Sequence, residues 1–407
     1  MSATTTGDAM TSALGALAST ALDYACAPPN ESAGRLDLDF QVRGAEALSV
    51  MSSWPNYKAT PLRSLDDFAA AIGVKSILYK DESVRFGLGS FKPMGAAYAL
   101  GREIARATGL AADASFEKLR HAVQRTGPPF TVCCATDGNH GRAVAWATQL
   151  LGLPCVVFLH KGVSTQRANA IADHGAQVRR TQGNYDDSVR AAAKCAEANG
   201  WRVISDTAYP GFTRTPTEVL CGYLGLMHEI QSQLDQLQLD QSAPTHCVAQ
   251  AGVGGMAAAM FSYFYAPPRH GHRINVCVEP LNAACLLASA RAGERSMVGG
   301  RLETHMAGLA CGEPSIVAWP IISGCGVHAL AIADDAADIA VRLLAQSKRA
   351  PSGISAGESG AAGLAGFLCA AVRPELKAAL GLTPQTVALV IGTEGALANH
   401  DCTRDAA

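Results

Sequence analysis

No apolar stretch of this 407-residue chain approaches the roughly twenty residues that a membrane-crossing helix needs. Charge of one sign is scarce too: 33 basic against 35 acidic side chains leave a net charge of -2. Such a balance creates no field for a polyanion, which excludes nucleic acid and acidic membranes as expected partners. No Lys or Arg precedes Arg35, so the Ala/Thr-rich first thirty residues lack the charged start of a signal peptide. They read as a partly ordered N-terminal extension. Thirteen cysteines form no C-x-x-C pair and no His/Cys cluster of zinc spacing, and no metal is expected. Most sit in apolar runs, such as Cys247 in HCVAQ and Cys277 in NVCVEP, where a thiol packs as a small hydrophobe. The expected compartment is reducing and cytoplasmic. The grouping His400, Asp401, Cys402 reads as a frayed tail rather than a metal site. Solenoid-period repeats are absent, and no low-complexity segment lies beyond the N-terminus.

What is present is alternation. From residue 76 onward, short β-branched runs precede Ala-rich helical stretches: TVCCAT (131–136), PCVVFLH (154–160), AQVRRT (176–181), RVISD (202–206), THCVAQ (245–250) and INVCVEP (274–280). In STQRANAIADHG, Ser164 is placed to cap a helix and Gly175 to stop it. TVALVIGTEG (386–395) closes the series with a strand and a turn. Continuous apolar strands alternating with helices imply an α/β fold, a parallel sheet covered on both faces. The polar segment 231–246, QSQLDQLQLDQSAPTH, marks a domain boundary. The expected division is a large discontinuous domain, 1–94 with 241–407, and a small one, 95–240.

Four turns carry candidate chemistry. In KDESVRFGLGSFKPMG (80–95), a strand leads through a Gly-rich turn to Lys92 at the start of a helix. Lys92 is either a solvated surface lysine or a Schiff-base lysine, whose pKa partial burial would lower. The small residues Gly95, Ala96 and Ala97 let something bulky approach that helix start. AGVGGM (251–256) follows a strand and opens a helix, as a tight structural turn or an anion cradle. It matches neither G-x-x-x-x-G-K-[ST] nor G-x-G-x-x-G. Paired with an aldehyde-binding lysine, a monophosphate cradle points to pyridoxal 5′-phosphate. In ATDGNHGRAVAW (135–146), turn N–H groups are available to a carboxylate and Asn139 to a phenolate oxygen. His140 reads there as a packing or capping residue, and Asp137 as an N-cap or a functional acid. In VIGTEGA (390–396), Thr393 either satisfies its own turn or gives a neutral hydroxyl to a pyridine nitrogen.

Taken together, the chain from about Trp54 to Gly395 resembles the fold type II pyridoxal phosphate enzymes, the tryptophan synthase β-like group. Within them it is most similar to the diaminopropionate ammonia-lyase family. The resemblance rests on YKATPL (57–62), KDESVRFGLGSFK (80–92), ATDGNHGRAVAWA (135–147), SDTAYPGFTRTPTEVLCGY (205–223), QAGVGGM (250–256), MAGLACGEP (306–314) and GESGAAGL (357–364). It implies two open, twisted, mostly parallel sheets flanked by helices, in a large and a small domain, and a homodimer. It assigns Lys92 to the cofactor aldehyde and the backbone of Gly252, Val253, Gly254, Gly255 and Met256 to the phosphate. Asn139 is assigned to O3′, Thr393 to the ring nitrogen, and Asp137 to a second acid/base. Asp206 is assigned to the substrate amino group, with Ser90 and Thr136 beside the substrate. Serine and threonine dehydratases of the group usually carry a small hydroxyl residue where Asp137 stands. The chain departs from the pattern at Gly89 and Ser90, where relatives often have Asn and Ala, and at Ala396, where others carry Asp.

The reaction so implied is 2,3-diaminopropionate plus water giving pyruvate and two ammonia. Lys92 would serve the L-isomer and Asp137 the D-isomer. The competing readings are a dehydratase or racemase acting on serine, threonine or 3-hydroxyaspartate, and a binding protein that carries the cofactor without turnover.

Overall fold

The computed structural model describes residues 3–30, 39–136, 138–183, 185–238, 244–265, 273–347 and 353–396. Asp137 and the His400, Asp401, Cys402 grouping lie outside the described residues. Among the described residues eleven strands form two sheets. They are β1 (Leu22–Ala27), β2 (Leu62–Ser64), β3 (Ser76–Asp81), β4 (Val132–Ala135), β5 (Cys155–Leu159), β6 (Gln177–Arg180), β7 (Arg202–Val203), β8 (His246–Gln250), β9 (Ile274–Pro280), β10 (Val327–Ile332) and β11 (Val387–Gly392). The larger sheet has the order β1-β10-β9-β8-β11-β3-β2 and the smaller one β6-β5-β4-β7. All neighbours are parallel except the edge pairs β1/β10 and β2/β3. The larger sheet draws its strands from residues 22–81 and 246–392, the smaller from 132–203.

Central strands are apolar along their whole length because helices cover both faces. All residues of β4, β5, β8 and β11 are buried. Ser164 does cap its helix, its Oγ accepting from the Arg167 N–H, and Gly175 takes φ 79° three residues beyond that helix, which spans Thr165–Ala172. Among the described residues no helix is long and apolar enough to cross a membrane.

The N-terminal segment, expected to be a partly ordered extension, carries a helix and an edge strand that composition did not announce. Ala3–Ser19 is helical, Leu17 is fully buried, and β1 pairs with β10 over six residues, from Leu22 opposite Ile332 to Ala27 opposite Val327. An apolar strand that covers an open sheet edge gains backbone hydrogen bonds invisible to composition. The small residues after Lys92 do let something bulky approach the helix start. A Cβ on Gly95 would lie 2.5 Å from the Tyr223 ring, and one on Gly222 would lie 2.3 Å from the Met94 carbonyl oxygen. What approaches the Lys92–Thr108 helix there is the Arg214–Gln236 helix, backbone against backbone.

That contact is continued by a buried ionic cluster. Lys80 Nζ meets Glu229 Oε1 at 2.5 Å, Arg85 meets Glu229 at 2.8 Å and Glu82 at 2.8 Å, and the Tyr57 hydroxyl donates to Glu229. These side chains are almost wholly excluded from water (0% for Lys80, Arg85 and Glu82, 4% for Glu229). Removing one partner of such a cluster typically costs about 3–5 kcal/mol, because the remaining charge stays buried. The cluster therefore ties residues 80–85, which lead into the Lys92 turn, to the Arg214–Gln236 helix.

Candidate active site

Five strand ends converge on one cavity. Residues that follow β3, β4, β7, β8 and β11 all lie at carboxyl ends of parallel strands, the crevice where open α/β sheets bind ligands. The cavity is lined by Lys92, Thr136, Asn139, Asp206, Gly252, Val253, Gly254, Gly255, Met256 and Thr393. Ser90 is not on its wall. That residue is buried, and its backbone makes an isolated antiparallel bridge with Glu394.

Lys92 begins the Lys92–Thr108 helix, with Pro93 pre-setting the first turn. Its Nζ lies 2.5 Å from Asp206 Oδ2, and both side chains are largely buried. Burial works to lower the Lys92 pKa, but the Asp206 carboxylate outweighs it, so the ammonium titrates above its ordinary range. This reverses the direction expected from the sequence, where burial alone was at hand. Asp206 shows the mirror image: burial pushes its carboxyl up, while Lys92 pulls it well below the usual carboxylate range. The pair is thus a lysinium and a carboxylate. His140 packs beside them. Its Nε2 donates to the Ile204 carbonyl at 2.9 Å, which leaves Nδ1 as an unprotonated acceptor 3.9 Å from Asp206 Oδ2. Burial lowers the His140 pKa, so the ring is neutral.

The turn 251–254 lines the cavity and opens the helix Gly255–Tyr265, whose first N–H groups have no partner within the helix. Two glycines there have no room for a side chain. A Cβ on Gly252 would sit 2.8 Å from Cys311 Sγ, and Gly254 holds φ 93° with Ile322 Cδ1 3.0 Å from any added Cβ. Bare backbone N–H groups at a helix start fit a monophosphate. Across the cavity, Thr136 Oγ1 accepts from the N–H groups of Gly138 (3.0 Å) and Gly141 (3.1 Å), shaping the turn that opens the Asn139–Leu151 helix. Asn139 Nδ2 donates to Glu394. Burial raises the Glu394 pKa, opposed by the Arg167 charge and hydrogen bonds from Ser359 and Asn139. Thr393 Oγ1 accepts from Gln250 Nε2 at 2.6 Å. A lysine, a helix start with bare N–H groups, an amide and a hydroxyl on one cavity fit the four polar ends of pyridoxal 5′-phosphate.

Sequence reasoning missed Glu394, Gln250, Arg167 and Tyr223, which also line the cavity. Glu394 and Gln250 adjoin nominated motifs, one following Thr393 and the other preceding the glycine turn. The signal for them was a polar residue at the end of an otherwise apolar strand.

Comparison with known proteins agrees with this geometry. The model of the pyridoxal-phosphate dependent enzyme family matches residues 54–392. Diaminopropionate ammonia-lyase of Escherichia coli (strain K12) is 41% identical over 346 residues, covering 83% of this chain and 85% of that protein. The crystal structure of the selenomethionine holo diaminopropionate ammonia lyase from Escherichia coli superposes with a TM-score of 0.84 at 36% identity, over 93% of this chain and 94% of that one. The same enzyme with an aminoacrylate-PLP azomethine reaction intermediate gives a TM-score of 0.82 at 35% identity, again over 93% and 94%. This chain belongs to the pyridoxal-phosphate dependent enzymes and, within them, to the diaminopropionate ammonia-lyase family.

Proposed function

We propose that the protein is a pyridoxal 5′-phosphate-dependent ammonia-lyase that converts 2,3-diaminopropionate and water to pyruvate and two ammonia. The observation that carries this reading is the meeting of the Lys92–Asp206 pair with the glycine-built helix start of Gly255–Tyr265 in one cavity. Lys92 would hold the cofactor aldehyde, the backbone of 252–256 its phosphate, Asn139 its phenolate and Thr393 its ring nitrogen. When bound, the group supplies an electron sink that acidifies the α-proton of an amino acid.

The chain's own residues do the rest. Asp206, held ionised, exchanges the Lys92 ammonium for the amino group of the substrate at the same carboxylate. Thr136 and the turn N–H groups beside it hold the substrate carboxylate, and Ser90 contributes through its backbone bridge to the Glu394 segment. Once the substrate amino group has taken its place at Asp206, Lys92 releases its proton to solvent and, as the neutral amine, takes the α-proton of the L-isomer, while Asp137 takes that of the D-isomer. The β-amine departs as ammonia only when protonated, so acids at the cavity keep the proton on it. We further propose that residues 1–94 and 241–407 form a large domain and 95–240 a small one that closes over the substrate. The enzyme works as a cytoplasmic homodimer in this reading; its cytoplasmic setting keeps the twelve described thiols reduced.

The test is an amino-acid panel with pyruvate and ammonia both measured. Two ammonia per pyruvate from diaminopropionate, at a kcat/KM well above that for serine, threonine or 3-hydroxyaspartate, is the expected result. A preference for a hydroxy amino acid would overturn it. Asp137→Asn should cost the D-isomer about 10²–10⁴-fold and the L-isomer far less; equal losses would refute the division of labour.

A further inference from the structure

Gln250 closes strand β8 immediately before the glycine turn and is almost fully buried (2% exposed). Its Nε2 lies 2.9 Å from the Ile391 carbonyl oxygen, 3.2 Å from the Gly360 carbonyl oxygen and 2.6 Å from Thr393 Oγ1. Carbonyl oxygens only accept, so the atom facing two of them is the amide nitrogen. Turning the amide over would set its oxygen against both carbonyls. It would also leave the NH₂ group where Oε1 now sits, a position with no hydrogen-bond partner among the described residues. Gly363 keeps that seat open, because a Cβ there would fall 2.6 Å from Oε1.

A consequence follows for Thr393. An amide nitrogen has no lone pair to offer, so at 2.6 Å the threonine oxygen is the acceptor and its own proton points away from Gln250. Among the described residues that proton meets no acceptor, and Thr393 lines the cavity. With one of its two lone pairs taken by Gln250 and no other acceptor for its proton, the hydroxyl is biased toward giving that proton to the cavity. We propose that Gln250 is a positioning residue that fixes Thr393 as a hydrogen-bond donor toward the ring nitrogen of bound pyridoxal 5′-phosphate. This rests on the cofactor reading above and adds to it the element of selection. The site favours a ring nitrogen that carries a lone pair, since only such a nitrogen gives the Thr393 proton an acceptor.

The experiment is a double-mutant cycle on cofactor binding to the apoprotein, read by absorbance and fluorescence titration. Thr393→Val removes the donor. Gln250→Met keeps the side-chain length but removes the amide N–H, so the Thr393 hydroxyl is no longer held as its acceptor and is free to rotate. Each single variant should weaken cofactor binding about tenfold, the worth of one hydrogen bond. The double variant should bind no more weakly than either single one, and all three should share one displaced absorbance maximum. Losses that multiply, or a Gln250→Met protein that binds as wild type does, would overturn the proposal. Thermal unfolding reports whether each variant is folded. If Gln250→Met is not, Gly363→Ala, which crowds Oε1 out of its seat, takes its place in the same cycle. A wild-type chain that takes up no pyridoxal 5′-phosphate overturns the functional reading and this proposal with it. Multiplying losses in a chain that does bind the cofactor overturn this proposal alone.

Discussion

Asp206 sets the charge state of the cavity at the scale of single residues. Its carboxylate holds a proton on Lys92 that burial would otherwise strip away. Replacing it with a neutral amide removes the largest opposition to burial, so in Asp206→Asn the Lys92 ammonium titrates lower and a larger fraction is neutral at pH 7. Two effects then part company. Capture of pyridoxal 5′-phosphate by the Asp206→Asn apoprotein, followed by stopped-flow absorbance, should be faster than wild type. Turnover should fall by about 10²-fold or more, because the substrate amino group loses its counter-charge. Slower capture would show that Asp206 aids Lys92 rather than restraining it. This pairing was not legible in the sequence. Lys92 stood out through its local turn, but the carboxylate that decides its protonation is 114 residues away. Local pattern identifies a residue type in a setting, whereas its pKa belongs to whichever charges the fold brings near.

Turns at strand ends are the elements that make the site, and they were also its most legible part. Gly254 sits at φ 93°, a conformation that costs a non-glycine residue about 1–3 kcal/mol. Gly254→Ala should therefore lose stability and weaken cofactor binding by about tenfold or more, as the cradle shifts. Gly293 is the control: it has φ 74° at the end of the Cys285–Ala292 helix, with nothing within 4 Å of an added Cβ. Gly293→Ala should lose comparable stability in thermal unfolding with cofactor affinity intact. If both variants bind alike, the glycine turn is structural only. The Cys285–Ala292 helix offers a second test, because Glu279 at the end of β9 accepts from the N–H groups of Leu286 and Leu287, both at 2.8 Å. Burial pushes its carboxyl up to about 8 from 4.5. The native state then keeps a proton that the unfolded chain has released, so this contribution is fully present below about pH 4.5 and is lost as pH rises through about 8. Glu279→Gln should flatten the fall in melting temperature between about pH 4.5 and pH 8. An unchanged slope would place the pH dependence elsewhere.

At the scale of the whole molecule, long-range pairing decides what composition cannot. The apolar runs of β4, β5, β8, β9 and β11 announce a buried parallel sheet from local sequence. The edges do not: β1 pairs with β10 some 300 residues later, and β2 is three residues long. The Ala/Thr-rich start could therefore be read only as partly ordered, since its partner edge is invisible along the chain. Its removal makes a definite prediction. A chain beginning at residue 28 exposes the full β10 edge, with its row of unpaired N–H and C=O groups. It also uncovers the site of Leu17, whose burial alone is worth about 1.5–3 kcal/mol. The melting temperature should drop by at least about 5 °C, and aggregation should become concentration-dependent. None of the cavity residues lies in the deleted segment, so the folded fraction should bind pyridoxal 5′-phosphate with wild-type affinity. Loss of binding in step with loss of stability would mean that the N-terminal strand acts on the site through the larger sheet, from β10 by way of β9 to the glycine turn after β8.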